Sequence, residues 1–395
     1  MRQRTHRLAT IGALLALGAS ACDSNRLTNI NQDPNNPPSA PPGPVFTWSA
    51  RVAVGRWLGG GAMDLRGPEF TTQHLAEVQY PDEDAYRRLG PADTDGSFIN
   101  AYSQELKNFQ SVIDAAKADN QPMLWGPAQV MRSLVFSYVT DVWGDVPYSQ
   151  ALQGNSATPV IAPAYDRQQA IYAALFQALD SATTAMAAAP AGALKLGSAD
   201  PFYAGNALKW QRFANSIRAR LAMRLANVDA TTAQAQLLAA IAAPGGLFQS
   251  NADNARFPWP GDGIYDNPWA ANFKGRDDHR MSNTLMNQML PVNDPRVPIY
   301  AQRTVSDTNA SGALLCGTPP CYLGMPNALT QSGASAYFNI SSRPGAVFYA
   351  ATVYSCPTCG ARTGARPGTR TSVKRTEDGQ RETACEVGGH GAGPS

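Results

Sequence analysis

The sequence predicts a mainly α-helical body built from helix pairs joined by long loops. Three observations carry that reading. Apolar residues recur at three- and four-residue steps in several windows between 98 and 243, the spacing of one buried helix face. Strand-like alternation is scarce. Gly at 34 and Pro at 30 among 395 residues place turn signals between the helical windows.

The chain begins with a targeting segment that is excluded from the fold. Arg2, Arg4 and Arg7 form a positive n-region, Leu8 to Leu17 an apolar h-region, and Gly18-Ala19-Ser20-Ala21 a small-residue cleavage site before Cys22. A Cys at that point resembles a bacterial lipobox, in which the thiol is diacylated. Ala19 stands where Leu is more usual, so plain secretory cleavage is the alternative; both routes export the protein. Several acyl chains hold a membrane far more firmly than one, since each buried methylene adds about 0.8 kcal/mol. Residues 1–21 are therefore expected as signal peptide, Cys22 as the lipidation site, and the proline-rich stretch 22–44 as an extended tether. No later apolar run is long enough to span a bilayer: Leu124 to Val142 is interrupted by Arg132 and Asp141.

The body, 45–350, then reads helix by helix. Phe98 to Ala118 carries Ile99, Tyr102, Leu106, Phe109 and Ile113 on one face, and Leu124 to Trp143 follows. Asp166 is the expected N-cap of a third helix, with Gln169 at the capping-box position and Ile171, Leu175, Leu179 and Ala182 on its buried stripe. Leu208 to Val228 places Trp210, Phe213, Ile217 and Leu221 inward, with Arg212, Arg218 and Arg220 off that stripe. Asp229 to Ala243 ends at Pro244-Gly245-Gly246.

From Phe248 to Tyr349 the composition shifts to Asn, Asp, Pro, Gly and aromatics, with only Met281 to Leu290 helical in pattern. Trp259, Tyr265, Trp269 and Phe273 argue against simple disorder. The tail, 351–395, is low in complexity: from Tyr354 onward it has six Lys or Arg, four acids and almost no large apolar side chain. It is expected not to fold by itself.

Charge and motifs exclude several functions. The formal charge of +2 becomes −1 once the three signal arginines are removed, so no nucleic-acid partner is implied. There is no His-Glu-x-x-His helix, no Gly-x-Ser-x-Gly elbow and no phosphate loop, and Gly59-Gly60-Gly61 lacks the lysine of a phosphate cradle. A glycosidase carboxylate pair leaves no sequence signature, which keeps a secreted or periplasmic hydrolase as the alternative reading. No cofactor or metal is assigned. Cys316 with Cys321, and Cys356 with Cys359, are spaced for disulfides, for a four-thiolate zinc site or for free thiols, and Cys385 leaves an odd count.

A family resemblance rests on residues in a fixed order. Leu27-Thr28-Asn29-Ile30-Asn31-Gln32-Asp33-Pro34-Asn35 follows the lipid-attachment Cys. Next come Gln79-Tyr80-Pro81-Asp82-Glu83-Asp84 and Trp143-Gly144-Asp145-Val146-Pro147-Tyr148-Ser149. Tyr165-Asp166 and the run Lys209-Trp210-Gln211-Arg212-Phe213-Ala214-Asn215-Ser216-Ile217-Arg218 complete the set. Together they resemble the SusD/RagB family of nutrient-binding outer-membrane lipoproteins, from about Cys22 to Tyr349. The resemblance implies a tetratricopeptide-like helical body whose loops hold an oligosaccharide or other nutrient. It also implies a cell-surface, lipid-anchored location and a partner, a SusC-like TonB-dependent transporter. The chain departs from the family after Gly345, where further Ala- and Glu-rich helices are usual. A shifted reading frame near residue 350 would produce that pattern, and a non-functional truncated paralogue is the remaining alternative.

Sugar rings pack a C–H face on flat aromatics, and their hydroxyls need polar side chains at the rim. Two loop regions offer both: Tyr80, Asp82, Tyr86, Phe98 and Asn100 in one, Trp259, Tyr265 and Trp269 in the other. These are the candidate ligand residues. The competing reading is that the same aromatics pin long loops to the helices. Trp143, Pro147 and Tyr148 are read as a helix-to-loop corner, and Trp210 as core.

Overall fold

The computed structural model describes residues 40–59, 63–85, 91–154 and 156–350, and the backbone of two strands between 369 and 387. The chain divides into two units, Met1–Pro41 and Pro42–Ser395, and every element below lies in the second. Cys22 and the signal segment lie outside the described residues.

Helix α1 (Pro42–Trp57) starts inside the expected tether. Proline fits there because the first helical turn has no intrahelical use for an N–H and the fixed φ is already helical. Phe46, Ala50, Val54 and Trp57 form its buried stripe. The short helix α2 (Pro68–Thr71) and strand β1 (Leu75–Glu77) follow. Then α3 (Pro91–Asn100), a π-helical segment Ala101–Leu106 and α4 (Lys107–Ala118) run without a break. The π segment inserts extra residue per turn, which shifts the phase of the buried face. Ile99, expected inside, is therefore exposed, whereas Leu106, Phe109 and Ile113 are buried.

Helix α5 (Pro122–Trp143) is buried on most of its circumference and stops at Gly144, whose φ of 78° and ψ of −120° only glycine adopts readily. Strand β2 (Val146–Pro147) then pairs antiparallel with β3 (Tyr165–Asp166), ahead of α6 (Gln168–Ala187). The expected capping box is not formed. Arg167 occupies the N-cap without a side-chain capping bond, its guanidinium donating to Asp145 Oδ2 at 3.1 Å, and Asp145 Oδ1 accepts the Gln168 N–H at 2.9 Å. Asp166 is held in the ladder opposite Val146, so its carboxylate turns back and accepts the N–H groups of Tyr148 and Ser149 at 2.9 and 2.8 Å. Each carboxylate thus satisfies donors on the other segment, which fixes the corner after α5 against the start of α6.

Helix α7 (Ala207–Arg224) is capped by Asn206 and ends four residues before the expected Val228, and α8 (Ala230–Ala242) is capped by Asp229. Arg212 pairs with Asp253 at 3.0 Å and Arg218 with Asp180 at 2.6 Å, tying α7 to its neighbours. Helices α1 and α4–α7 enclose the main core, in which Phe46, Phe109, Phe136 and Trp210 are fully buried.

Residues 269–348 build a smaller second core rather than one long loop, whereas Ala255, Phe257 and Trp259 join the main core. The elements of the second core are α9 (Pro268–Gly275), β4 (His279–Met281), α10 (Asn283–Met289) and α11 (Val297–Tyr300), while α12 (Gln331–Ser335) buries Ala334 in a separate small cluster with Ala76, Val78 and Met325. Strand β4 pairs antiparallel with β1, Leu75 opposite Met281 and Glu77 opposite His279, so the early segment 65–78 completes this late core. The helix expected from Met281 begins at Asn283, with Ser282 capping the Thr284 N–H, because Met281 is used by β4. Gly345 is required sterically: a Cβ there would lie 1.8 Å from the Ile299 carbonyl oxygen.

Cys316 and Cys321 form a disulfide, Sγ–Sγ 2.01 Å. Cys356 and Cys359 lie outside the described residues. In the tail, β5 (Thr369–Arg375) pairs antiparallel with β6 (Arg381–Val387). The fold is mainly α with two-stranded ladders, as the sequence predicts. Among the described residues no helix is long and apolar enough to cross a membrane, and no group of three His, Cys, Asp or Glu could hold a metal ion.

Candidate functional site

A cleft of about 690 Å³ opens where α1, α3, the 259–266 loop and α9 meet. Each wall has a local cause. On α1, Arg51, Gly55 and Arg56 fall on one face at helical spacing, and Asn100 reaches the cleft from the last turn of α3. The opposing loop is braced by its own backbone: Asp262 Oδ1 accepts the N–H groups of Ile264 and Tyr265 at 2.9 and 2.7 Å. These bonds hold the Asp262 carboxyl below the usual range. Gly263, at φ 87°, makes the tight turn that a side chain would strain. Tyr265 is presented 44% exposed, with the Arg51 guanidinium 5.2 Å from its ring centroid.

The cleft is rich in arginine, yet most of that charge is already met. Arg56 is bonded to Glu105, whose other oxygen accepts the Trp57 indole N–H at 2.8 Å. Burial raises the Glu105 carboxyl, opposed by Arg56. Arg66 donates from Nε to Glu83 at 2.9 Å, and Arg276 pairs with Asp278. Arg51 makes no ion pair among the described residues, and its partner is the Tyr265 ring. Asp266 is the one carboxylate among the described lining residues. Lys274 and the Gly263 N–H bond it and hold its carboxyl low, in the ionised form. The arrangement offers one open aromatic face and a rim of amide and guanidinium donors.

The candidate residues fall into three groups. Asn100, Trp259 and Tyr265 line the cleft together, although Trp259 is only 6% exposed and also packs on Phe257. Tyr80, 49% exposed, stands at the edge beneath Arg276, 4.7 Å from its ring centroid, and Asp82 is exposed on the following turn. Phe98 and Trp269 are placed for packing. Phe98 lies against Tyr102 and Trp143. Trp269 is 8% exposed between Phe273 and Phe348, and its indole donates to Asp64 at 2.8 Å. Tyr86 lies outside the described residues. Arg51, Arg56, Arg66, Asn272 and Arg276 line the cleft without having been singled out from the sequence. The available signal was the pair Arg51 and Gly55, four apart on α1, but it cannot be told from an ordinary solvated helix face.

Trp269→Phe is expected to leave the ring space filled while removing the donor to buried Asp64. The loss should be about 1–3 kcal/mol of folding stability, read by urea unfolding, with oligosaccharide affinity unchanged. A variant that melts like the parent and binds less tightly would put Trp269 back among the ligand contacts.

The comparisons with known proteins agree on family and fold. A family model, SusD-like_2, described as starch-binding associating with outer membrane, matches residues 66–358. No curated protein matches the chain. Among solved structures, a chitin-binding protein superposes with a TM-score of 0.69 at 24% identity, covering 82% of this chain and 68% of its own. A chitin-binding SusD homologue from Flavobacterium johnsoniae gives a TM-score of 0.63 at 23% identity, covering 79% and 61%. A SusD homologue from Bacteroides uniformis gives 0.57 at 23% identity, covering 78% and 62%. The chain thus spans about two thirds of the length of these structures. With the family model matched over well over half of its residues, and a helical fold shared with these structures, the chain belongs to the SusD/RagB family.

Proposed function

We propose that this chain binds an oligosaccharide in the α1–α9 cleft without transforming it, and delivers it to a SusC-like TonB-dependent transporter from a lipid anchor at Cys22 on the outer-membrane surface. The observation that carries this reading is the braced, half-exposed Tyr265 ring beside the amides of Asn100 and Asn272. An apolar ring face with amide donors at its rim is what a pyranose needs. The family's description and the chitin-binding neighbours support carbohydrate as the ligand class. Against catalysis stands the single carboxylate among the described lining residues, since glycoside hydrolysis takes two carboxyl groups flanking the bond.

Calorimetric titration of the full chain with chitin and starch oligosaccharides tests the binding. Saturable heat with intact ligand is expected, and Tyr265→Ala should weaken it by about 1–2 kcal/mol, roughly 5- to 30-fold, at unchanged melting temperature. Equal affinity in the variant would remove the cleft from this reading. Release of shortened sugars would replace it with hydrolysis.

A further inference from the structure

A second cavity, of about 430 Å³, lies between α4, α5 and the loop after β2, and shares no lining residue with the cleft. Its notable group is Arg132 on α5. The guanidinium lies against the faces of Phe136 and Tyr148, 4.9 and 5.5 Å from their centroids, with the Tyr148 hydroxyl beside it. Its Nε is buried without a hydrogen-bond partner, and the side chain makes no ion pair among the described residues. The contrast within the chain is informative. Arg212, Arg218, Arg280 and Arg343 each meet a carboxylate within 3.0 Å. A guanidinium held against two rings, with no carboxylate in contact and only Asp114 at the cavity rim acting on it, is a charge short of a partner that carries a planar fork of donors.

The rest of the cavity fits an anionic guest of small size. Lys117, over the Trp125 ring at 4.8 Å, adds a second cation at the mouth. The Gln129 amide, on the same wall, reaches Ser133 only at 3.3 Å. Asp114 is the opposing charge, on the exposed rim, where Gln110 donates to it at 2.6 Å. The far wall is fixed by Asp166, which holds the Tyr148 and Ser149 N–H groups. It includes Leu152 at φ 65°, a left-handed conformation that a bulky side chain rarely takes.

We propose that this cavity binds a small carboxylate, a sugar acid or a free amino-acid carboxyl, whose planar group faces Arg132 with Lys117 closing the mouth. A carboxylate matches the guanidinium fork in shape and charge, and the volume suits a guest of about monosaccharide size.

The test is calorimetric titration of the full chain with galacturonate, with N-acetylglycine, and with galactose as the uncharged control. Saturable binding of either acid, absent for galactose, is the expected result. Tighter galacturonate assigns the sugar acid, and tighter N-acetylglycine the amino-acid carboxyl. Arg132→Gln should weaken the preferred acid by about tenfold or more. Because Arg132 is stacked in the interior, Lys117→Gln at the exposed mouth is the second variant, expected to weaken binding about fivefold with an unchanged melting temperature. No binding of either acid, equal binding of galactose, or full affinity in both variants would overturn the proposal. The oligosaccharide cleft has its own ligands and its own variant, so either reading can fail without the other.

Discussion

Trp210→Ala should lower the unfolding free energy by about 3–5 kcal/mol, the cost of deleting a large aromatic side chain from a packed interior. Trp210 is 0% exposed and meets Phe46, Phe202 and Tyr203 edge-on at 6.0, 5.8 and 5.3 Å. Its indole N–H donates to Asp200 Oδ2 at 2.6 Å. Asp200 also accepts the N–H groups of Phe202, Tyr203 and Gly205, so it keeps three donors when the indole is gone. The loss is therefore mainly cavity and packing. Trp210→Phe, which retains a ring but not the donor, should cost only about 1–2 kcal/mol. Urea unfolding separates the two, and equal losses in both variants would mean that the hydrogen bond, not the packing, dominates.

The second large effect is a loss of stability as pH rises, set by Glu77. Its carboxyl is buried opposite His279 across the β1–β4 ladder, and burial pushes it up to about 8, reinforced by Asp278 and Glu83 and opposed by the Gln79 and Tyr80 N–H groups. His279, between the rings of Phe70 and Phe273, is pushed by burial down to about 4, with Arg276, Arg280 and Arg66 acting the same way. Near neutrality both groups are uncharged, 3.8 Å apart. The folded chain keeps the Glu77 proton up to about 8, whereas the unfolded chain releases it near 4.5. Its contribution is thus full below 4.5 and is lost as pH rises toward 8. His279 has the opposite sign: its contribution is present above 6.5 and is lost as pH falls toward 4. The two oppose each other below 6.5, and Glu77 acts alone above it. Glu77→Gln removes the Glu77 dependence while keeping an acceptor for Gln79 and Tyr80. The variant should gain on the parent between pH 4.5 and 8.5 by on the order of 5 kcal/mol. Parallel melting curves for the two proteins across that range would disprove the assignment.

The family signature and the structure meet most directly at Asp145 and Asp166. Both stand in the motifs that carried the resemblance, and a local rule made Asp166 a helix cap. That rule considers only donors a few residues away, whereas each carboxylate here serves N–H groups 17 to 23 residues distant. The same limit applies to Ile99, where a constant helical period was assumed across a π segment.

What the sequence determined by itself is what depends on short spacing: the helix periods, the helix end at Trp143, the halt at Pro244-Gly245-Gly246, and the family order of motifs. The tertiary structure alone decided which aromatics are open. Trp269 and Tyr265 are four residues apart and alike in the sequence, but one is buried over Asp64 and the other faces a cleft beside Arg51. Exposure is set by partners distant along the chain, 205 residues away for Asp64, and such long-range pairing leaves no periodic trace in a single sequence.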